Sequence, residues 1–256
     1  MGEQTDEIMK TVLLIDGDII AYKHAAGGEV ATDWGDHCWT LHTDTKQAVQ
    51  SMDAYINSLV TILEADKIEI ALTGTNVFRK RIDKSYKASR QKTRKPIGLG
   101  VLREHIMTNL RGSIENELEA DDLLGIWATD PMFHSGAKKI IISIDKDMQT
   151  IPCHLWNSNR PEFGVKNISP ESANDFHLYQ TLVGDSSDGY PGCPTYGPTK
   201  SRRLLDKEGS GWPMVVEAFE KQGKTEEEAL VQARLARILR IENYNIRTKT
   251  IKYWNP

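Results

Sequence analysis

The sequence predicts an α/β fold, a mainly parallel sheet covered by helices, on three observations. Residues 11–15, TVLLI, form a short uninterrupted apolar run that ends in Asp16-Gly17-Asp18. Residues 139–144 form a second such run, ending in Asp145 and Asp147. Between them, apolar residues recur at helical spacing over 46–64, where Val49, Met52, Ile56, Leu59, Val60 and Leu63 share one side. Continuous apolar strands are buried on both faces, as strands of parallel sheets are, and their alternation with amphipathic helices marks an α/β chain.

The other elements follow in order. A strand is expected at 68–72, and Pro96-Ile97-Gly98 then breaks a basic segment. Helices are expected at 102–110 and at 119–128, the second with Leu123, Leu124 and Trp127 as its apolar side. After about residue 175 the pattern changes to a helix at 177–183 closed by Gly184, a turn-rich stretch rich in Gly and Pro, a helix at about 199–205 and an amphipathic helix at 226–241.

A chain of 256 residues holds one core, or a core with a small subdomain. No apolar run approaches the roughly 18 residues that span a bilayer, and MGEQTDEIMK at the start is polar, so the expectation is a cytoplasmic protein without a membrane partner. Cys38, Cys153 and Cys193 form no CxxC pair, which argues against a disulfide framework or zinc ribbon. His37, Cys38 and His42 lack a second ligand pair for zinc.

Charge is segregated. Residues 79–95 carry nine Lys or Arg against the single acid Asp83, a local +8 in a chain of net charge −4. This suits a protein that grips phosphates in one place and cations in another. Carboxylates that could hold cations stand in four acidic groups, Asp16/Asp18, Glu119/Asp121/Asp122, Asp145/Asp147 and Asp185/Asp188. Two of them follow predicted strands, where open α/β sheets place their sites. Glu119 and Asp122, three apart, are expected to point at one site while Asp121 leans aside. So many carboxylates raise one another's pKa unless cations neutralise them, and hard divalent ions with oxygen ligands are the natural partners, magnesium first. Two metals support phosphodiester hydrolysis. Lys87 and Arg90 offer cations to a phosphate and Tyr86 offers either a ring for base stacking or an anchor to the core. Gly192 and Gly197, ahead of a helix carrying Lys200, Arg202 and Arg203, present backbone N–H groups and charge to a duplex backbone.

The motifs LIDGDII (14–20), NVFRKRIDKSYKASR (76–90), LEADD (118–122), ISIDKD (142–147) and VGDSSDGYPG (183–192), in this order, resemble those of the phage and bacterial 5′-nuclease family, which includes flap endonucleases and the 5′-nuclease domain of bacterial DNA polymerase I. KKIIISIDKDMQTIP (138–152) and ARILRIENYN (236–245) bring the likeness nearest to the 5′–3′ exonucleases of short-tailed lytic phages. The resemblance implies a PIN-like α/β core with helices on both faces over 10–175 behind a flexible stretch 1–9. It also implies a helical arch built from the basic segment within about 79–110, a helix–three-turn–helix subdomain over 176–210 and a C-terminal extension, 211–256, packed on the core.

It further implies a 5′–3′ exonuclease with flap endonuclease and RNase H-like activity on double-stranded DNA bearing 5′ ends, nicks or flaps, serving phage DNA replication, recombination or host DNA degradation. The metal ligands are then Asp16, Glu119, Asp121, Asp122, Asp145, Asp147, Asp185 and Asp188, holding two or more Mg2+ ions for which Mn2+ substitutes. A potassium ion belongs to the helix–three-turn–helix subdomain. Lys87, Arg90 and Asp145 are the catalytic candidates. DNA contacts fall to Arg79, Arg81, Tyr86, Lys92, Arg94, Lys95, Gly192, Gly197, Lys200 and Arg202. Two departures stand out: residues 73–76 hold no carboxylate where many members have one, and Gln180 stands where some have Lys; Asp18 is an addition that not all members share.

A haloacid dehalogenase-type phosphatase would explain Asp16-x-Asp18, but its last motif spaces the acids GDxxxD, unlike Asp185 and Asp188, and it leaves the basic segment idle. A catalytically weak DNA-binding protein is the other alternative, and the intact acid set argues against it.

Overall fold

The computed structural model describes residues 10–207 and 211–256, so the flexible stretch expected at 1–9 lies outside the described residues. Strand β1 (Thr11–Asp16) runs directly into helix α1 (Gly17–Gly27). An antiparallel hairpin, β2 (Glu29–Asp33) and β3 (Trp39–Thr43), leads to α2 (Thr45–Ile62) and β4 (Lys67–Thr73). The single turn α3 (Arg79–Ile82) precedes α4 (Leu99–Asn109), β5 (Ser113–Glu115), α5 (Ala120–Thr129) and β6 (Lys138–Ile142). Then come β7 (Cys153–Trp156), β8 (Val165–Ile168), α6 (Pro170–Val183), α7 (Pro198–Leu205), α8 (Trp212–Glu220), α9 (Glu226–Ala236) and a last hairpin, β9 (Tyr244–Asn245) with β10 (Thr250–Ile251).

Six strands form one sheet in the order β5-β4-β1-β6-β7-β8, parallel throughout except that β8 runs against β7. Alternation along the buried strands feeds two layers. Leu13, Ile15, Ile140 and Ile142 meet α1, α2 and α4 on one face, whereas Val12, Leu14 and Ile141 meet α5 and the C-terminal residues Ile238 and Leu239 on the other. The helices therefore lie on both faces, as expected. Gly17 lets α1 approach the sheet, because a Cβ there would stand 2.8 Å from the Ala71 carbonyl oxygen. A third core, with Leu182, Tyr196, Leu205, Val215 and Phe219, joins α6, α7, α8 and α9. Helix α8 thus packs with the 176–210 region, beyond the boundary expected at 210. No helix among the described residues is long and apolar enough to cross a membrane.

The basic segment 79–95 is not one continuous helix. Within it Arg79–Ile82 and a 3₁₀ turn at Ala88–Lys92 are helical, and the remaining helix of the 79–110 range is α4. Asp83 leaves the helix in an extended conformation and its carboxylate accepts from the Ser85 N–H and hydroxyl, each at 2.7 Å, a local bond that competes with helix continuation. Lys87 then adopts a left-handed φ of 53° and donates its backbone N–H to the Asp188 carbonyl at 2.8 Å. Absence of Pro and Gly permits a helix, but nine like charges do not favour one, and tertiary partners for the backbone decide.

Candidate active site

Strands β1 and β6 are neighbours, so the acids at their carboxyl ends, Asp16 and Asp145, arrive side by side. Ser143 bridges them, donating its hydroxyl to Asp16 at 3.3 Å and accepting the Asp145 N–H at 3.2 Å. Asp16 also caps α1, accepting from the Ile19 N–H at 3.1 Å. From the opposite side, the first turn of α5 brings Glu119 and Asp121. Asp16, Glu119, Asp121 and Asp145 line one open cavity of about 720 Å³ together with Lys87 and Arg90.

The electrostatics of this cavity are unbalanced. Burial raises the Asp16 carboxyl to about 6, and Asp145 adds to the shift. Burial, then the charges of Asp16 and Asp145, push Asp121 well above the usual carboxylate range. Glu119 differs: against its burial, Arg79 and Lys87 hold it below its ordinary value. Lys87 donates to Glu119 at 2.7 Å and lies 3.4 Å from Asp188, and these acids raise its pKa against the effect of burial. Desolvated, mutually repelling carboxylates beside one ammonium form a donor set that fits a hard divalent cation.

Asp122 stands apart from the ligand set expected for it. It is fully buried, and its two oxygens take the N–H groups of Glu119 and Leu239 at 3.1 and 3.0 Å and both Nη atoms of Arg79 at 2.7 and 2.8 Å. These four bonds occupy the carboxylate's lone pairs. Asp121, expected to lean aside, is the one that faces Asp16 and Asp145. Arg79, expected on DNA, is 2 % exposed and spends all five N–H donors inside, the others going to Glu119 and to the carbonyls of Leu235 and Arg237. Tyr86 is likewise buried, and its hydroxyl donates toward Glu119 at 2.9 Å with Asp188 at 3.2 Å, so it anchors the basic segment and its ring is not open to a base.

The remaining acids form a second group. Gln180 donates to Asp147, whose carboxyl burial and Asp145 raise to about 6. Lys146 reaches Asp185 at 2.7 Å; with Ser187 it overrides burial and holds that carboxyl at about 2. Arg90 meets Asp188 at 2.5 Å. Among the described residues no three His, Cys, Asp or Glu side chains are gathered as a ready-made metal site, His37, Cys38 and His42 included. In the pairs above, the chain's own cations rest on Glu119, Asp185 and Asp188.

The outlying basic residues vary in availability. Lys92 and Lys95 are exposed, and Lys95 lines the cavity. Arg81 pairs with Glu117, Arg94 with Glu29 and Arg202 with Asp175 at 2.5, 2.7 and 2.5 Å. Lys200 is exposed with its ammonium 3.7 Å over the Tyr196 ring, and Gly197 caps α7 in open space. The Gly192 N–H, expected to meet an anion, is committed to Gln232 at 2.9 Å. Sequence reasoning also missed Arg103, which bridges Asp18 and the Thr73 carbonyl, and Lys146 and Gln180 as partners of the second acid group.

The carboxylate missing from 73–76 has no room at Gly74. A Cβ there would fall 2.1 Å from the Glu115 carbonyl oxygen. Gly74→Asp is therefore expected to lower thermal stability by about 1–3 kcal/mol or more, as overpacking does, without adding a ligand. A melting curve unchanged from the parent refutes this.

A family model for the 5′-3′ exonuclease N-terminal resolvase-like domain matches residues 11–169. The exodeoxyribonuclease of Enterobacteria phage T3 is 31% identical over 285 residues, covering 96% of this chain and 93% of that protein. The flap endonuclease Xni of Shewanella woodyi is 27% identical over 77% of each chain. Among solved structures, the bacteriophage T5 flap endonuclease in complex with DNA and metal ions superposes with a TM-score of 0.66 at 14% identity, covering 89% of both chains.

Proposed function

The chain belongs to the 5′–3′ exonuclease family, and from that premise we propose that it is a divalent-metal-dependent nuclease that hydrolyses DNA at or near 5′ ends, nicks or flaps. The observation that carries the reading is the meeting of Asp16, Asp121 and Asp145 in one cavity, two of them with raised pKa, beside the Lys87 ammonium. The T3 relative is named an exodeoxyribonuclease, and the T5 relative is recorded with DNA and metal ions, which supports DNA as substrate and metal as cofactor.

Asp16, Asp121 and Asp145 would hold the first ion, with Glu119 shared between it and Lys87. Magnesium is the natural ion, and Mn2+ its substitute. When bound, such ions activate water and stabilise the leaving oxygen of a phosphodiester. Lys87 supplies a positive charge at the cavity wall for a phosphate oxygen as charge builds on it. Arg90 reinforces it and holds Asp188. Lys200 and the first turn of α7 offer charge and N–H groups to a duplex backbone at a distance from the acids, the region where the resemblance also expects potassium.

The test is incubation of 5′-labelled and 3′-labelled flapped, nicked and blunt duplexes with and without magnesium. Short products only from the 5′ end, and only with the metal, are expected. Metal-independent cutting or release from the 3′ end overturns the reading. Within it, Lys87→Ala is expected to slow single-turnover cleavage about a hundredfold. Lys200→Ala is expected to weaken duplex binding and lower its salt dependence by about one counterion while sparing the chemical step. Single-turnover rates at saturating enzyme that fall more for Lys200→Ala reverse the assignment.

A further inference from the structure

Resting on the nuclease reading above, we infer that the extended chain at 237–240, with the end of α9, is a clamp that positions the acid cluster, and that Arg240 is its positioning residue. The family-model match ends at residue 169, so the clamp lies wholly outside it.

The clamp grips two acid-bearing elements through consecutive residues. The Leu239 N–H donates to Asp122 at 3.0 Å, while the Leu235 and Arg237 carbonyls accept from Arg79 at 3.1 and 2.6 Å. Backbone meets backbone here: a Cβ on Gly125 of α5 would lie 2.3 Å from the Leu239 carbonyl oxygen. One residue on, Arg240 is 4 % exposed and donates from Nη2 to the Thr150 carbonyl at 2.7 Å. Thr150 ends the 3₁₀ turn Lys146–Thr150 that Asp145 caps, and its hydroxyl donates back to the Asp147 carbonyl at 2.8 Å. Beyond, the Ile241 N–H is taken by the Thr129 hydroxyl of α5 at 2.9 Å.

The consequence is geometric. Asp121 rides on α5 and Asp145 on the start of the turn, and the two face each other across the cavity. Like charges drive such elements apart, and bonds made from outside the site help to set their spacing. Residues 239 and 240 are adjacent, so one short stretch of chain holds both elements, the Leu239 N–H on α5 and the buried Arg240 side chain on the turn. Arg240 gains little by its burial otherwise: its Nε has no partner and Glu242 lies 3.9 Å away, so the residue is a costly way to stabilise a core.

The test compares the full-length parent with Arg240→Gln and Arg240→Lys at a temperature where circular dichroism shows each folded. Mn2+ affinity is read from loss of the free-ion paramagnetic resonance signal, duplex affinity is read in Ca2+, and cleavage is read in Mg2+. Arg240→Gln is expected to weaken Mn2+ binding and cleavage about 10–100-fold, the scale of lost outer-shell partners, with duplex affinity unchanged. Arg240→Lys, whose ammonium still reaches a carbonyl, is expected to recover most of both. Parent-like Mn2+ binding by Arg240→Gln overturns the inference.

Should Arg240→Gln not fold, Thr129→Val decides: it removes the acceptor of the Ile241 N–H, and the bond the same hydroxyl donates to the Gly125 carbonyl lies within α5, where that carbonyl keeps its helical N–H partner. It is expected to weaken Mn2+ binding about fivefold, the worth of one hydrogen bond, and unchanged binding overturns the clamp. A parent that binds Mn2+ but cuts no DNA defeats the nuclease reading, while the Mn2+ comparison still judges the clamp.

Discussion

Asp145→Asn is expected to reduce cleavage roughly a thousandfold, the upper range for removing one preorganised electrostatic partner, while DNA affinity in Ca2+ stays within a few-fold of the parent. The residue sits at the carboxyl edge of the central strands, beside Asp16 and facing Asp121, with its N–H on the Ser143 hydroxyl and its carboxylate accepting from the Asp147 N–H. An amide is nearly the same shape and still accepts the Asp147 N–H, held at 2.8 Å, so the turn survives. What is lost is one negative charge where a cation needs it. With less negative charge facing the phosphates, binding is expected to hold or tighten. Single-turnover cleavage in saturating magnesium, set beside a binding isotherm in Ca2+, checks both halves. Near-parental turnover removes Asp145 from the metal assignment.

Arg79→Met is expected to destabilise the fold by about 3–5 kcal/mol, the cost of leaving buried charge without its partner. For a chain of this size that lowers the melting temperature by on the order of 10 °C. The guanidinium is the hub of the buried acids: it pairs bidentately with Asp122, bonds Glu119 at 2.8 Å and ties both to two carbonyls of the C-terminal segment. Met fills the space but supplies none of five donors. Adding Asp122→Asn to Arg79→Met is expected to recover part of the loss, because the unpaired negative charge is gone while an oxygen remains for the Leu239 N–H. Thermal melts of the two variants decide. A surface phosphate contact, by contrast, would show an unchanged melt and a weakened affinity for DNA.

Reading the residues in order determined a good deal of this protein. The apolar runs at 11–15, 68–72 and 139–144 are strands because they are buried on both faces, and a run of that kind is visible without a structure. The helix at 46–64 is equally plain in its periodicity. Strands β7 and β8 escaped notice because CHLW and VKNI are short, mixed in character and near the sheet edge, and α8 because no sustained periodic pattern announces nine residues. The acids at strand ends, Asp16 and Asp145, were legible for the same reason as their strands. The orientation of Glu119, Asp121 and Asp122 was not. Sequence spacing says which residues of a helix share a side, but the side that faces the site depends on how the helix is rolled about its axis. That roll is set by Arg79, inside instead of on DNA, and by Leu239, over a hundred residues downstream, pressing on Gly125 and bonding Asp122. Where the carboxylates are concentrated can be read along the chain; which of them are left over to meet a metal depends on packing, because a buried carboxylate whose lone pairs are already taken has none to give.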